Sequence, residues 1–337
     1  MSERNAPVEG DGLMERVVES STLSAAVNRV KQHGGSPGID GRMVAARPGD
    51  LDTHWPEIRE ALLSGTYTPQ PVKRVEIPKP HGGGRKLGMP TVLDRCIQQA
   101  RLQVLQPAEE ASVSGSRDGF RPGRSAHQAI AQAQHDLETG DSWVVDLDRE
   151  QCCDRVNHDK LMSRVTVRVT DRRVLKLVDR FLKAGALTGD DWEATEAGTP
   201  PGGPLSPRLA NRLLDGLDKE LERRGHRVVR DADDWHISVR SARAGRRVLA
   251  SMTRFLSRKL TRSVNEAKRA GGRSWRRTFL GFRFTGCRPN RRTVSGKAFK
   301  RFKAEIRRRT QRTRGVSLPR VGRDVRQYLD GWCAYVG

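Results

Sequence analysis

The sequence predicts an α+β fold, and three observations carry that expectation. Helix-period segments alternate with strand-like runs without an internal repeat. A strand-like run at 142–148 ends in a carboxylate, Asp148. A second pair of runs, 228–230 and 235–239, frames Asp231-Ala232-Asp233-Asp234 as a hairpin turn.

In chain order, 1–67 reads as amphipathic helices, with 23–32 the clearest, interrupted by a glycine-rich loop at 34–41. Residues 71–90 read as a basic hairpin, in which a strand at 72–77 meets a glycine turn and returns through Arg85-Lys86-Leu87-Gly88. Helical periodicity follows at 92–105, and again at 125–137 after an arginine-rich loop at 120–124. Beyond the strand at 142–148 come helices at 160–165 and 174–184, a Gly/Pro-rich loop at 198–207, and a helix at 208–223. From 268 to 314 there are 18 basic residues against one acidic residue, Glu305, which concentrates most of the positive charge there. Phe299, Phe302 and Ile306 fall on one helical face, expected to pack, with Lys300, Arg307 and Arg308 on others, where they can meet phosphate.

A chain of 337 residues can bury a substantial core or form two domains. Its 63 Lys and Arg against 40 Asp and Glu leave a net charge of +23, which favours a polyanionic partner, nucleic acid first. No apolar run approaches the roughly 18 residues of a membrane span, and the start has no secretory pattern, so a cytoplasmic location without membrane contact is expected. Five cysteines without a Cys-x-x-Cys pair suggest reduced thiols rather than a disulfide framework or a zinc site. With aromatic residues at 5%, phosphate contacts should outweigh base stacking.

Joining nucleotides requires an activated hydroxyl and a stabilised leaving pyrophosphate, which two Mg²⁺ ions held by compact oxygen ligands can provide. Asp148, Asp233 and Asp234 can converge on such ions if their two strands are neighbours. An Asp-Asp pair in a turn is, in isolation, more often turn chemistry.

The surrounding segments weigh against that simpler reading. Asp148-Arg-Glu-Gln-Cys-Cys-Asp154, Gly198-Thr-Pro-Pro-Gly-Gly-Pro-Leu-Ser-Pro207 and Asp231-Ala-Asp-Asp234 stand in one order. Around them are Ile77-Pro-Lys-Pro, Leu87-Gly-Met-Pro-Thr-Val-Leu-Asp-Arg95, Gly119-Phe-Arg-Pro-Gly-Arg-Ser125, Val264-Asn-Glu-Ala-Lys268 and Phe279-Leu-Gly-Phe282. The ordered set resembles the bacterial reverse transcriptases and maturases encoded by group II introns, from about residue 35 to the C-terminus. The resemblance implies a right-hand polymerase with helical and hairpin fingers, an antiparallel-sheet palm and a partial helical thumb. It implies an N-terminal extension over 1–65, fingers and palm over 66–285, and a basic, truncated thumb and maturase region over 286–337. Asp148, Asp233 and Asp234 would hold two Mg²⁺ ions. Lys79, Arg85, Cys153, Gly202, Gly203 and Lys268 would meet the incoming deoxynucleotide triphosphate. Arg121, Arg124, Lys300, Arg307 and Arg308 are the candidate contacts to nucleic acid, with group II intron RNA, an RNA template and a DNA primer as implied partners.

Four departures fall inside the site. Asp231 replaces the family's Tyr and, if the strand continues, lies on the same side as Asp233, where like charges repel. Cys152 and Cys153 replace an aromatic pair, the second of which rejects a ribose 2′-hydroxyl in the family. Arg149 replaces an apolar core residue, and Pro201 removes an amide side chain and a backbone donor. These leave two readings beside an RNA-directed DNA polymerase and maturase: an RNA-binding splicing cofactor without polymerase activity, and an inactive mobile-element remnant.

Overall fold

A computed structural model describes residues 12–44, 48–78, 84–110, 113–148, 157–189, 191–195, 198, 202–259, 269–287 and 289–337. The first elements are α1 (Leu13–Val17), α2 (Ser20–His33), α3 (Pro48–Leu63), β1 (Val72–Pro78), β2 (Gly84–Met89), α4 (Val92–Glu110), α5 (Ala126–Glu138), β3 (Trp143–Asp148), α6 (His158–Thr166) and α7 (Arg172–Lys183). There follow β4 (Ala186–Thr188), β5 (Asp191–Glu193), α8 (Leu205–Arg223), β6 (Arg227–Asp231), β7 (Asp234–Val239), α9 (Ala242–Lys259), β8 (Arg269–Arg273), β9 (Phe282–Phe284), β10 (Arg292–Val294), α10 (Gly296–Arg309) and α11 (Leu318–Val336). They form two compact units, each discontinuous in sequence: Met1–Gly115, Arg149–Glu220 and Thr253–Asn265 in the first, and Ser116–Asp148, Leu221–Met252 and Glu266–Gly337 in the second.

In the first unit, Val174, Leu177, Val178, Phe181 and Leu182 of α7 are buried at a spacing that makes one continuous helical stripe. Asp171 caps this helix by accepting from the N–H groups of Arg173 and Val174, and its second oxygen accepts from Met14 N–H at 3.1 Å, which ties α1 to α7. Val30 of α2 packs with Val44, Val92 and Cys96 in a separate apolar cluster. The basic hairpin expected at 71–90 is present: β1 and β2 pair antiparallel from Lys73↔Met89 to Pro78↔Gly84. The hairpin is widened by β4 and β5 into a four-stranded sheet ordered β2-β1-β4-β5.

The second unit contains a four-stranded antiparallel sheet ordered β6-β7-β3-β8. The period-2 alternation of its strands separates two apolar faces. Val144 and Val229 face Ala129, Ile130, Ala133 and Leu137 of α5, together with Phe279, Phe282 and Phe284. α5 begins where a reciprocal capping box forms: Gln128 N–H donates to the Ser125 hydroxyl, and the Gln128 side chain accepts from Ser125 N–H. On the other face Val145, Val228, Trp235, Ile237 and Val239 are buried, and Gly245 of α9 lies against Val145 and Val239. Truncating Ile130 in such a core costs about 2–5 kcal/mol.

The C-terminal helices α10 and α11 stack through aromatic rings, with Phe302 4.2 Å from Trp332 and 6.0 Å from Tyr328 between centroids. The face expected from Phe299, Phe302 and Ile306 therefore packs only in part. No residue of either helix is fully buried, and Phe299 is 45% exposed. None of the described helices is long and apolar enough to cross a membrane. Cys96, Cys287 and Cys333 are free thiols.

Candidate active site

The acidic hairpin is built from two alternating strands joined by a loop of only Ala232 and Asp233, with Asp231 paired to Asp234. Ala232 has φ +56°, and it is the turn's one positive φ. A positive first central residue alone is the pattern of a primed hairpin turn, where glycine is usual, and holding alanine there costs about 1 kcal/mol. Neighbouring residues hold it in place. The fully buried Arg230 donates from Nη1 to the Ala232 carbonyl at 2.6 Å, and its guanidinium lies 5.4 Å from the Trp235 ring centre. The backbone of Arg230 is bracketed in turn, its N–H donating to Ser116 O at 2.7 Å and its carbonyl accepting from Asp118 N–H at 2.9 Å. The segment around Arg117 thus runs beside β6 as a short parallel bridge and covers that edge.

Gly119 completes the support. A Cβ at this position would fall well inside contact distance of Ala232 N and Asp231 Oδ1, so only glycine lets the loop sit against the turn.

Strand register then places the carboxylates. β3 pairs antiparallel with β7 from Trp143↔Val239 to Asp148↔Asp234, so Asp148 and Asp234 occupy directly opposed positions at one end of the sheet. Asp233 is at the adjoining turn. The side chain of Asp148 lies outside the described parts of the structure. The placement of Asp231 corrects the sequence expectation: the strand does not continue to Asp233 but turns after Asp231, so Asp231 shares its face with Asp234. Two residues further along β7, His236 sits with Nδ1 3.2 Å from Asp146 Oδ1 and its ring on Phe279, an arrangement that fastens β7 to β3.

Burial sets the electrostatics of the cluster. It pushes the Asp231 carboxyl above the ordinary Asp range; Arg230 opposes the shift and Asp233 reinforces it. Asp118 is likewise pushed up by burial, opposed by Arg124 at 3.5 Å and by Arg121, and reinforced by Asp231. From α11, Tyr335 comes close enough that burial and the Asp231 charge both raise its phenol. Its hydroxyl donates to Leu280 O at 2.8 Å, and its carbonyl lies 2.7 Å from His127 Nε2.

The remaining candidates are distributed as follows. Arg124 is exposed and pairs with Asp118, while Arg121 is half-buried and donates to Arg117 O at 3.4 Å. Lys300 and Arg307 are exposed on α10 without an ion pair among the described residues. Arg308, a further candidate, is exposed and donates to Glu305 through two hydrogen bonds of 2.8 and 2.6 Å, and Glu305 is pulled down to about 2 chiefly by that contact. Gly202 and Gly203, in the first unit, approach protein closely: a Cβ on Gly202 would strike Gly88 O, and one on Gly203 would strike Gln98 Oε1. Arg85 is opposite Ile77 in the β1–β2 register, with its side chain outside the described parts. Lys79, Cys153 and Lys268 lie outside the described residues, as do Arg149, Cys152 and Pro201.

Arg230 and Gly119 are the supports that sequence reasoning did not assign. The signal for Gly119 was its place in the Gly119–Ser125 run. None existed for Arg230, because a fully buried arginine runs against the ordinary expectation for its type.

The chain is similar to several known proteins. The family model described as reverse transcriptase (RNA-dependent DNA polymerase) matches residues 77–284, well over half of the chain. Protein YkfC of Escherichia coli (strain K12) is 35% identical over 215 residues, which cover 62% of this chain and 56% of that protein. The group II intron-encoded protein LtrA of Lactococcus lactis subsp. cremoris is 38% identical over 164 residues, 48% of this chain and 27% of that protein. A chain of a solved partial Cas6-RT-Cas1–Cas2 complex aligns with a TM-score of 0.46 at 22% identity, covering 73% of this chain and 42% of that one. The aligned parts span about half or less of these curated relatives' own lengths.

Proposed function

The chain belongs to the reverse transcriptase (RNA-dependent DNA polymerase) family, and we propose that it extends a DNA primer on an RNA template and serves a group II intron as polymerase and maturase. The observation that carries the proposal is the pairing of Asp148 with Asp234 at the sheet end where the turn presents Asp233. Similarity to the group II intron-encoded protein LtrA supports the intron assignment.

Reverse transcriptases depend on divalent metal. Asp148, Asp233 and Asp234 supply the hard carboxylate oxygens that Mg²⁺ takes, and they stand at one end of one sheet, so the donor set fits two such ions. Among the described residues, which leave out the side chain of Asp148, no group of three acidic, His or Cys side chains is clustered to hold a metal. Bound Mg²⁺ would supply charge neutralisation for the attacking 3′-hydroxyl and the departing pyrophosphate.

The protein's own contribution is positional. Arg230 and Gly119 fix the turn, so that Asp233 and Asp234 need not reorganise when substrate arrives. Lys79, Arg85 and Lys268 are proposed to bind the triphosphate of the deoxynucleotide, with Cys153 against its sugar and Gly202 and Gly203 shaping the loop beside the template. Fingers and palm are assigned to 66–285 and a thumb to 286–337, where Lys300 and Arg307 meet RNA phosphates. Arg121 and Arg124 are assigned to nucleic acid as well, and the working compartment is the cytoplasm.

One observation favours the cofactor reading: the half-buried, hard-to-ionise Asp231 stands where the family has Tyr and adjoins the catalytic turn. The experiment that separates the two supplies purified chain with a DNA primer on an RNA template, four deoxynucleotides and Mg²⁺. Elongated primer is expected. Its absence, with retained salt-sensitive RNA binding, would replace the polymerase reading with the cofactor reading.

A further inference from the structure

At the opposite end of β3 from Asp148, a basic surface is organised around one arginine that lies beside two tryptophans. Arg273 on the edge strand β8 is directly opposite Trp143, and its guanidinium carbon lies 5.3 Å from the ring centre of Trp143 and 5.3 Å from that of Trp275. Trp275 packs on Gly286, its ring 3.0 Å from where a Cβ of that glycine would stand, and its carbonyl accepts two hydrogen bonds from Arg283, at 3.1 and 2.7 Å. Arg273 is exposed all the same, and a single donor, Nη1, reaches a side chain, the Ser142 hydroxyl at 3.3 Å.

A guanidinium lying near two indole rings while still exposed keeps its fork of N–H groups open to a ligand, and that fork suits a phosphate's oxygens. Basic charge dominates around it: Arg276, Arg283, Arg291 and Arg292 are exposed nearby in sequence, no Asp or Glu occurs from 267 to 304, and Asp141 is faced by Arg227 at 3.5 Å. The neighbouring carboxylate on β3, Asp146, is already faced by Arg277 at 3.6 Å. Among the described residues, Arg273, Arg276, Arg291 and Arg292 make no ion pair.

We propose that Arg273, lying against Trp143 and Trp275 and flanked by Arg276, binds the phosphodiester backbone of a structured RNA that is not the template. Five residue steps along β3 separate Trp143 from Asp148, about 17 Å at the rise of an extended strand. The duplex being copied is thereby assigned to the carboxylate end and a separate RNA segment to the arginine end, and extension of a short primer–template tells the two apart. The inference takes from the polymerase reading only the identity of the polyanion as RNA.

The test measures equilibrium binding of the full chain to a structured intron-type RNA, without nucleotides, across a series of salt concentrations. Arg273→Gln is expected to weaken binding roughly tenfold, the loss of one charge-assisted hydrogen-bonded contact. It should also make the slope of log affinity against log salt shallower by about one. Arg276→Gln, which leaves the stack intact, should reduce the slope in the same direction. Arg59→Gln, an exposed charge removed from α3, should change the slope much less. Extension of a short primer–template by Arg273→Gln should equal that of the unaltered chain. Unchanged affinity and slope in both Arg273→Gln and Arg276→Gln would overturn the site. Equal losses of RNA binding and short-template extension would overturn its separateness. Because binding is read without catalysis, a chain that never extends a primer would refute the polymerase reading and leave this one standing or falling on its own result.

Discussion

Replacing Gly119 with alanine isolates the contact that holds the acidic turn. Gly119 does not have a positive φ, so alanine adds no backbone strain there, and the whole effect comes from one methyl group. That methyl would overlap Ala232 N and Asp231 Oδ1 and stand 3.0 Å from the Asp231 carbonyl carbon. Two of those atoms are backbone and cannot swing aside as the end of a flexible side chain could, so the turn or the 116–119 segment must move. Overpacking of this kind costs about 1–3 kcal/mol, which corresponds to a fall in melting temperature of roughly 3–10 °C for a unit of this size. A displacement near 1 Å at reacting groups lowers turnover about a hundredfold. Gly123→Ala is the matched control: it has φ +68° with open space around its Cβ, so it costs about 1 kcal/mol of strain without touching the turn. Thermal unfolding and single-nucleotide incorporation on a primed RNA template are measured for both. The expected result is comparable destabilisation, with incorporation lost only in Gly119→Ala. Full incorporation by Gly119→Ala, or equal losses in the two variants, would refute the view that this contact positions the carboxylates.

Three further outcomes follow from the same cluster. Burial raises the Asp231 carboxyl, so its stabilising contribution is full below the unfolded value near 3.9 and is lost as pH rises through the higher folded value. Asp231→Asn should therefore become increasingly more stable than the unaltered chain between pH 4 and pH 8 in denaturant titrations; a pH-independent difference would contradict that account. Arg230→Met keeps the apolar stem against Trp235 but deprives the Ala232 carbonyl of its charged donor, and should lower stability by about 1.5–3 kcal/mol along with nucleotide incorporation. Unaltered incorporation would remove Arg230 from the positioning role. Cys153→Phe should improve rejection of ribonucleotides in competition assays, and identical discrimination would count against Cys153 lying beside the sugar.

The legible parts of the fold were those in which local and long-range preferences agree. The β6–β7 hairpin showed in its flanking apolar runs, and α5 in its Ser125–Gln128 box and apolar period. The β8 strand was not legible: Arg-Ala-Gly-Gly-Arg has little strand propensity, and it is drawn into the sheet by pairing with β3 from Trp143 to Leu147. The short β4 and β5 strands were hidden for a similar reason, since β4 pairs in parallel with β1, more than a hundred residues earlier. At the site, the ordered segments that resemble group II intron reverse transcriptases singled out Asp148, Asp233 and Asp234, whereas the face of Asp231 depended on where the turn fell. Alternation gives the wrong partner once a strand reverses.

The central claim is that Asp233, presented by the strained turn opposite β3, serves nucleotide transfer. Single-nucleotide incorporation onto a DNA primer annealed to RNA, compared between the unaltered chain and Asp233→Ala at matched melting temperature, tests it most directly. Incorporation by the unaltered chain is expected, with a loss of about a thousandfold in the variant. Equal incorporation by the two proteins, or none by either, would contradict it.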